Sequence, residues 1–260
     1  MLRLSRSICC FFRKYPHALW GFYVPVYLLM FFGVEALVPS TAAYWETSMA
    51  VDAVIPFAEI FVVPYCLWYP MLVAVGLWLI FKDGPAFRRY MWSLMFMFTF
   101  SMIFCAIVPN GQDLRPAVFA RDNFFTRWIG AIYSADTNTN VLPSVHVVGT
   151  LAALFAVMDT NTFKKRWVRP GMVILSSLIV ASTVFIKQHS VLDVLAGFGL
   201  AIINYQFIYA PRFIPELAGA IIRRLKRIYH ASRTPLYRQT IGMCCLSMMH
   251  VVYRLMQTVD

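Results

Sequence analysis

The chain has 260 residues, of which 60% are hydrophobic and only 13% charged. Too few polar side chains are present to cover a water-soluble globule, so a soluble fold is excluded and most of the exterior must face lipid. The net charge of +11 points to cytoplasmic loops and anionic headgroups rather than to nucleic acid, once the positions of the basic residues are read.

A helix needs about 20 apolar residues to cross a bilayer, and six apolar stretches are read as spans: 16–38, 58–81, 90–109, 144–159, 171–188 and 190–210. The fourth and fifth are short. The last two nearly abut, which predicts a tight hairpin at Lys187–His189, with polar backbone buried in protein or lining a wet cavity. Pro56, Pro64 and Pro70 predict kinks around the second span, because each removes a helix donor. The expected fold is an all-α integral membrane protein, a six-transmembrane-helix bundle. It comprises a membrane catalytic domain over 1–212 and a basic amphipathic C-terminal tail over 213–260. In that tail Leu217, Ile221, Leu225 and Ile228 recur at helical spacing among Arg223, Arg224, Lys226 and Arg227, the pattern of a helix lying on a membrane surface. The run from Ile241 to Met256 carries His250 and Arg254 and is short for a seventh crossing.

The basic residues sort by side. Nineteen of the 23 Lys and Arg fall before the first span, between the second and third, between the fourth and fifth, and after the sixth. The positive-inside rule makes that side cytoplasmic, with both termini inside. Arg115, Arg121, Arg127 and Lys187 are the four on the other face. A basic start followed by an apolar run also fits a signal peptide, but this run is longer than a signal core and has no small-x-small cleavage site before Glu46. Cys66 and Cys105 fall in spans and Cys9, Cys10, Cys244 and Cys245 on the inner side, so no external disulfide framework is predicted. The inner pairs read as small apolar fillers or, in a eukaryotic host, as palmitoylation sites. Tyr15, Trp20, Trp45 and Trp68 read as an aromatic belt at the interfaces. Asp113, Asp122 and Asp136 read as solvated loop acids, with Asp136 close enough to the fourth span to bind a substrate hydroxyl.

Three outer-face segments carry chemistry. "VPNGQDLRPAVF" presents Arg115-Pro116, "LPSVH" opens the fourth span with Ser144, Val145 and His146, and "STVFIKQHSVLDVLAG" presents Lys187, His189 and Asp193. Ionisable groups in apolar runs need a partner or a task, and His189 and Asp193, four apart, share a helix face. These residue types match phosphoryl transfer. The guanidinium of Arg115 is a planar fork for phosphate oxygens and Lys187 a point charge. A helix starting at Ser144-Val145-His146 offers unpaired N–H groups to an anion, although Ser144 beside Pro143 is equally a plain helix cap. Two histidines can divide the labour, one attacking phosphorus and the other protonating the departing oxygen. Asp193 would fix the tautomer of His189.

The order Arg-Pro, Pro-Ser-x-His, His-x-x-x-Asp around six spans resembles the type 2 phosphatidic acid phosphatase superfamily. The resemblance implies a metal-independent enzyme, without cofactor, acting on a lipid phosphate at the extracytoplasmic face. It further implies His189 as nucleophile, Asp193 as its orienter, His146 as general acid, and Arg115 and Ser144 as phosphate ligands. Three departures stand out. Val108 occupies the position of a family lysine, Val145 replaces a glycine, and Ser182-Thr183 replaces Ser-Arg, with Lys187 as a nearby substitute cation. This variant is similar to the inositol phosphorylceramide synthase branch, in which an alcohol accepts the phosphoryl group, so hydrolase and transferase both stay open. Other classes compete: a zinc site built on His146, His189 and Asp193, a transporter using intramembrane His and Asp, and a catalytically dead binder of lipid phosphate. The partners implied are the lipid phosphate substrate, the bilayer and its anionic lipids, with no nucleic acid. Substrate identity and oligomeric state are not written in the sequence.

Overall fold

The computed structural model describes residues 9–38, 43–163, 165–210 and 224. The amphipathic tail, the run 241–256, Cys244 and Cys245 lie outside the described residues. The chain divides into two units, Met1–Asn204 and Tyr205–Asp260, and the site lies wholly within the first.

Helix α1, Tyr23–Leu37, follows a 3-10 turn at Pro16–Phe22. After a short helix α2, Ala50–Val54, come α3, Val62–Lys82, and α4, Gly84–Ile107. Helix α5 spans Phe124–Ala135, α6 Val145–Asp159, α7 Val168–Phe185 and α8 Val191–Ile208. Among the described residues five helical segments are long and apolar enough to cross a membrane: Pro16–Leu37, Glu59–Lys82, Gly84–Ile107, Val168–Phe185 and Val191–Ile208. The chain is therefore a mostly helical integral membrane protein.

The expected span that is missing from these five is the fourth, 144–159, which is the 15-residue helix α6. At 1.5 Å per residue it is about 22 Å long, short of a hydrocarbon core of about 30 Å. Burial explains its composition: Val147, Val148, Gly149, Leu151, Ala152, Ala153, Ala156 and Val157 are all buried. Most of its surface is thus turned to α3, α4 and α7, and its small residues let those neighbours approach closely. Helices α1 and α7, in contrast, keep large apolar side chains such as Leu29, Phe32 and Ile174 exposed, as a lipid-facing surface requires.

The fifth span lies at Val168–Phe185, three residues before the expected 171–188, and two further stretches differ from expectation. The third apolar segment begins at Gly84, six residues before the expected 90, because Asp83 caps Ala86 N at 3.0 Å and a proline stands in the first turn. Arg88 and Arg89 therefore sit in that helix rather than in a loop, and Arg89 pairs with Asp159 at the end of α6. The region 110–143, expected to be loop, contains α5. Asn123 accepts from Thr126 N at 3.0 Å and Thr126 Oγ1 accepts from Asn123 N at 2.9 Å, a reciprocal cap that starts the helix.

A two-stranded parallel pair, β1 at Trp45–Glu46 and β2 at Asn110–Gly111, ties the α1–α2 connection to the end of α4. Buried Asn110 is the hub of this layer. Its Oδ1 accepts from Val141 N and Leu142 N, at 2.9 and 2.8 Å, and so holds the segment leading into α6.

Candidate functional site

Helices α1, α4 and α7 end, and α3, α6 and α8 begin, at one end of the bundle. A cavity of about 320 Å³ opens there, lined among others by Glu35, Tyr65, Trp68, Asp136, Val145, His146, Gln188 and His189.

His146 stands in the first turn of α6. Ser144 is its N-cap, fully buried, with Oγ accepting from Val147 N at 3.4 Å. Ser144 N donates to Asp193 O at 3.2 Å, which ties the start of α6 to α8. The His146 ring lies 4.3 Å from the rings of both Tyr65 and Trp68. Neither imidazole nitrogen has a hydrogen-bond partner among the described residues. Gly149, one turn along, makes this packing achievable: a Cβ there would sit 2.9 Å from Trp68 Cζ2 and 3.0 Å from its Nε1. Gly197 does the same for α8, where a Cβ would meet Val147 Cβ at 2.9 Å. Trp68, expected in an aromatic belt, is therefore corrected to a buried wall of the site, 5% exposed.

His189 lies in the turn between α7 and α8, not on a helix, so the shared helix face expected for His189 and Asp193 is corrected. The turn still brings Nδ1 of His189 to 3.6 Å from Oδ2 of Asp193, the third residue of α8. That oxygen already accepts from Ser190 N at 2.7 Å, while Asp193 N donates to Ser190 Oγ at 3.2 Å. Asp193 thus caps its own helix and faces the imidazole at ion-pair distance. The hairpin expected at Lys187–His189 is present, and residues 187–190 are buried. The centroids of the His146 and His189 rings are 5.8 Å apart.

The two expected phosphate cations are placed differently: neither Arg115 nor Lys187 lines the cavity. Arg115 lies over the Tyr133 ring and donates to the carbonyls of Tyr133, Asp136 and Thr137 and to Gln188 Oε1. Burial lowers its pKa from the ordinary guanidinium value, against the pull of Asp136. Lys187 has φ 55°, uncommon for a residue with a Cβ. Its Nζ donates to the carbonyls of Asp52 and Ile55 at 2.8 and 2.7 Å, and its own carbonyl accepts from Gln112 Nε2 at 3.0 Å. Both cations satisfy carbonyls in a desolvated layer, where an unmet acceptor is costly. Arg121 and Arg127 remain exposed, with Arg121 3.6 Å from Glu59 and Arg127 3.4 Å from Asp122.

Asp136, Gln188, Tyr65 and Glu35 line the cavity without having been expected there. Asp136, expected to be solvated, lines the cavity and accepts from Gln188 Nε2 at 3.2 Å. Burial raises its pKa above the usual carboxylate value, opposed by His189 and Arg115. Gln188 connects Arg115, Asp136 and, at 3.3 Å, the hydroxyl of Tyr65. Glu35 was legible in one respect: it is the sole charged residue between Lys14 and Glu46.

The pattern of the PAP2 superfamily matches residues 41–207, which include all three blocks and most of the chain. The protein belongs to the PAP2 superfamily. Membership points to phosphatase or phosphotransferase activity. No curated protein and no solved structure shows a significant match.

Proposed function

We propose that this protein is a membrane enzyme that transfers the phosphoryl group of a lipid phosphate through a phosphohistidine, with water as the acceptor. The observation that carries the reading is the pair of imidazoles facing one cavity with ring centroids 5.8 Å apart. A reacting atom sits about 3–3.5 Å from its nucleophile in a near-attack geometry, and two rings this close can both reach one phosphate group bound in the cavity.

In the first step a nitrogen of His189 attacks phosphorus and the ester oxygen leaves with a proton from His146. In the second, water gives a proton to His146 and its oxygen displaces His189. Asp193, 3.6 Å from His189 Nδ1, orients that ring and stabilises its positive phosphorylated form. The first turn of α6, with Val145 and His146 lining the cavity, has N–H groups that a helix leaves without intrahelical partners and that suit an anion. Arg115 and Lys187 act one step behind, as positioning residues that hold the 136–137 segment and the hairpin. The distribution of Lys and Arg supports an extracytoplasmic cavity and cytoplasmic termini.

The test supplies the purified protein in detergent with a panel of lipid phosphoesters, with and without alcohol acceptors. Phosphorus leaving the lipid without an added alcohol supports hydrolysis, and a new phosphodiester only with alcohol makes the enzyme a transferase. No product from any lipid under either condition overturns the enzymatic reading and favours a transporter or a lipid-phosphate binder.

A further inference from the structure

The cavity's charge does not suit a simple phosphate. Its lining contains two carboxylates, Glu35 and Asp136, beside the two imidazoles, and no Lys or Arg. A dianionic phosphomonoester would enter a site lined by acids and imidazoles without a lysine or arginine to balance it, in surroundings of low dielectric where like charges repel strongly.

The two acids differ. Asp136 has a cation behind it, since Arg115 donates to the Asp136 carbonyl at 3.0 Å and to Gln188, which in turn donates to the Asp136 carboxylate. Glu35 has only neutral partners: Oε1 accepts from Asn140 Nδ2 at 2.9 Å and Oε2 from Thr137 Oγ1 at 2.6 Å. Among the described residues no ion pair reaches it. An acid on a membrane-spanning helix, held in place by two hydrogen bonds but given no countercharge, has its charge left for a ligand. Around it the acceptor Asn140 Oδ1 is buried without a partner, and Phe31, Phe32 and Tyr69 line the same cavity. Carboxylate plus aromatic surface is the chemistry that attracts an ammonium group.

We infer that the cavity takes a lipid phosphodiester whose headgroup carries an amine cation, with the phosphate at the imidazole pair and the cation at Glu35. The inference rests on the proposed phosphoryl transfer and narrows its substrate. In that reaction the N–P bond to His189 forms as the P–O bond to the lipid alcohol breaks, and the alcohol departs with the proton of His146. The headgroup stays on phosphorus until water displaces the histidine and releases the amine-bearing phosphomonoester. No oxidant or further reactant is needed.

The test uses the full-length protein in maltoside micelles and three short-chain lipids, dihexanoyl phosphatidylcholine, phosphatidate and phosphatidylglycerol. Calorimetry reads binding and product analysis reads turnover. The expected result is phosphatidylcholine binding at least about tenfold more tightly than either anionic lipid, a preference of the size one electrostatic contact can supply. Glu35→Gln should bring that ratio near one and raise affinity for phosphatidate, a gain that a merely structural role would not produce. Glu35→Asp, which keeps the charge, should retain the preference and serves if the first variant does not fold. Equal or tighter binding of phosphatidate or phosphatidylglycerol by the wild type overturns the inference, as does a ratio unchanged in Glu35→Gln. Preferential binding of phosphatidylcholine without turnover of any lipid supports the inference and removes the enzymatic reading. Turnover with phosphatidate preferred does the reverse.

Discussion

His146 and His189 face one cavity but are held by opposite means. His146 is fixed by packing: its ring lies between Tyr65 and Trp68, on a helix whose other residues are mostly buried, and neither nitrogen has a partner among the described residues. His189 is fixed by backbone and charge. It sits in a turn, its N–H donates to Thr183 O at 3.0 Å, and its ring faces the Asp193 carboxylate. An imidazole clamped only by its faces keeps its nitrogens for whatever enters, which suits proton exchange. One beside a carboxylate is suited to carry positive charge, which a phosphorylated histidine must do. The contrast between the two rings therefore separates the two proposed roles.

Leaving-group chemistry should break the pair apart most sharply. His189→Ala should lower turnover on the order of 10⁴-fold or more, whatever the leaving group, because a nucleophile has no substitute. His146→Ala should cost about 10²–10⁴-fold with a lipid alcohol leaving group, yet recover most of that loss with a nitrophenyl ester, which departs without a proton. Steady-state rates with both substrates check this, and equal recovery by both variants would erase the distinction. Asp193→Asn keeps an acceptor for Ser190 N but removes the charge beside His189, and should lower kcat about 10²-fold or more with little change in KM.

Smaller effects test the scaffolds of the two rings. Asn110→Ala leaves Val141 N and Leu142 N without their acceptor, and each orphaned buried donor costs about 1–3 kcal/mol. The loss should appear as a lower melting temperature in detergent. Gly149→Ala drives a methyl into the Trp68 indole, an overpacking worth about 1–3 kcal/mol. If packing positions His146, this variant should also lower turnover of the lipid ester more than of the nitrophenyl ester. An equal fall for both would assign Gly149 to stability alone.

The sequence carried some of this plainly and hid the rest for physical reasons. Apolar length located the helices that cross, and the near-abutting last segments announced the buried hairpin around Lys187. The spacing of Arg115, His146, His189 and Asp193 marked the three blocks that the family pattern covers. What escaped depends on partners distant in the chain. Trp68 is an amphipathic aromatic near a helix end, and nothing local distinguishes a belt residue from one stacked on a histidine 78 positions away. Arg115 and Lys187 look like phosphate ligands because their types suit phosphate, but in the structure they donate to backbone carbonyls, which any residue supplies, and Arg115 also to the Gln188 side chain. Asp136 reads as a solvated loop acid until α5 and Gln188 enclose it. Glu35 did leave a trace, as a lone charge in an apolar run, yet its meaning required Thr137 and Asn140 to be seen beside it.

In the proposed reaction one phosphorus is handed to His189 while His146 serves the leaving oxygen. Rapid acid-free quenching of the enzyme with a lipid labelled with ³²P at its phosphate tests it directly. An acid-labile, base-stable label should map to His189 and disappear in His189→Ala. A lipid consumed at full rate with no label on the protein, or with the label on another residue, would contradict it.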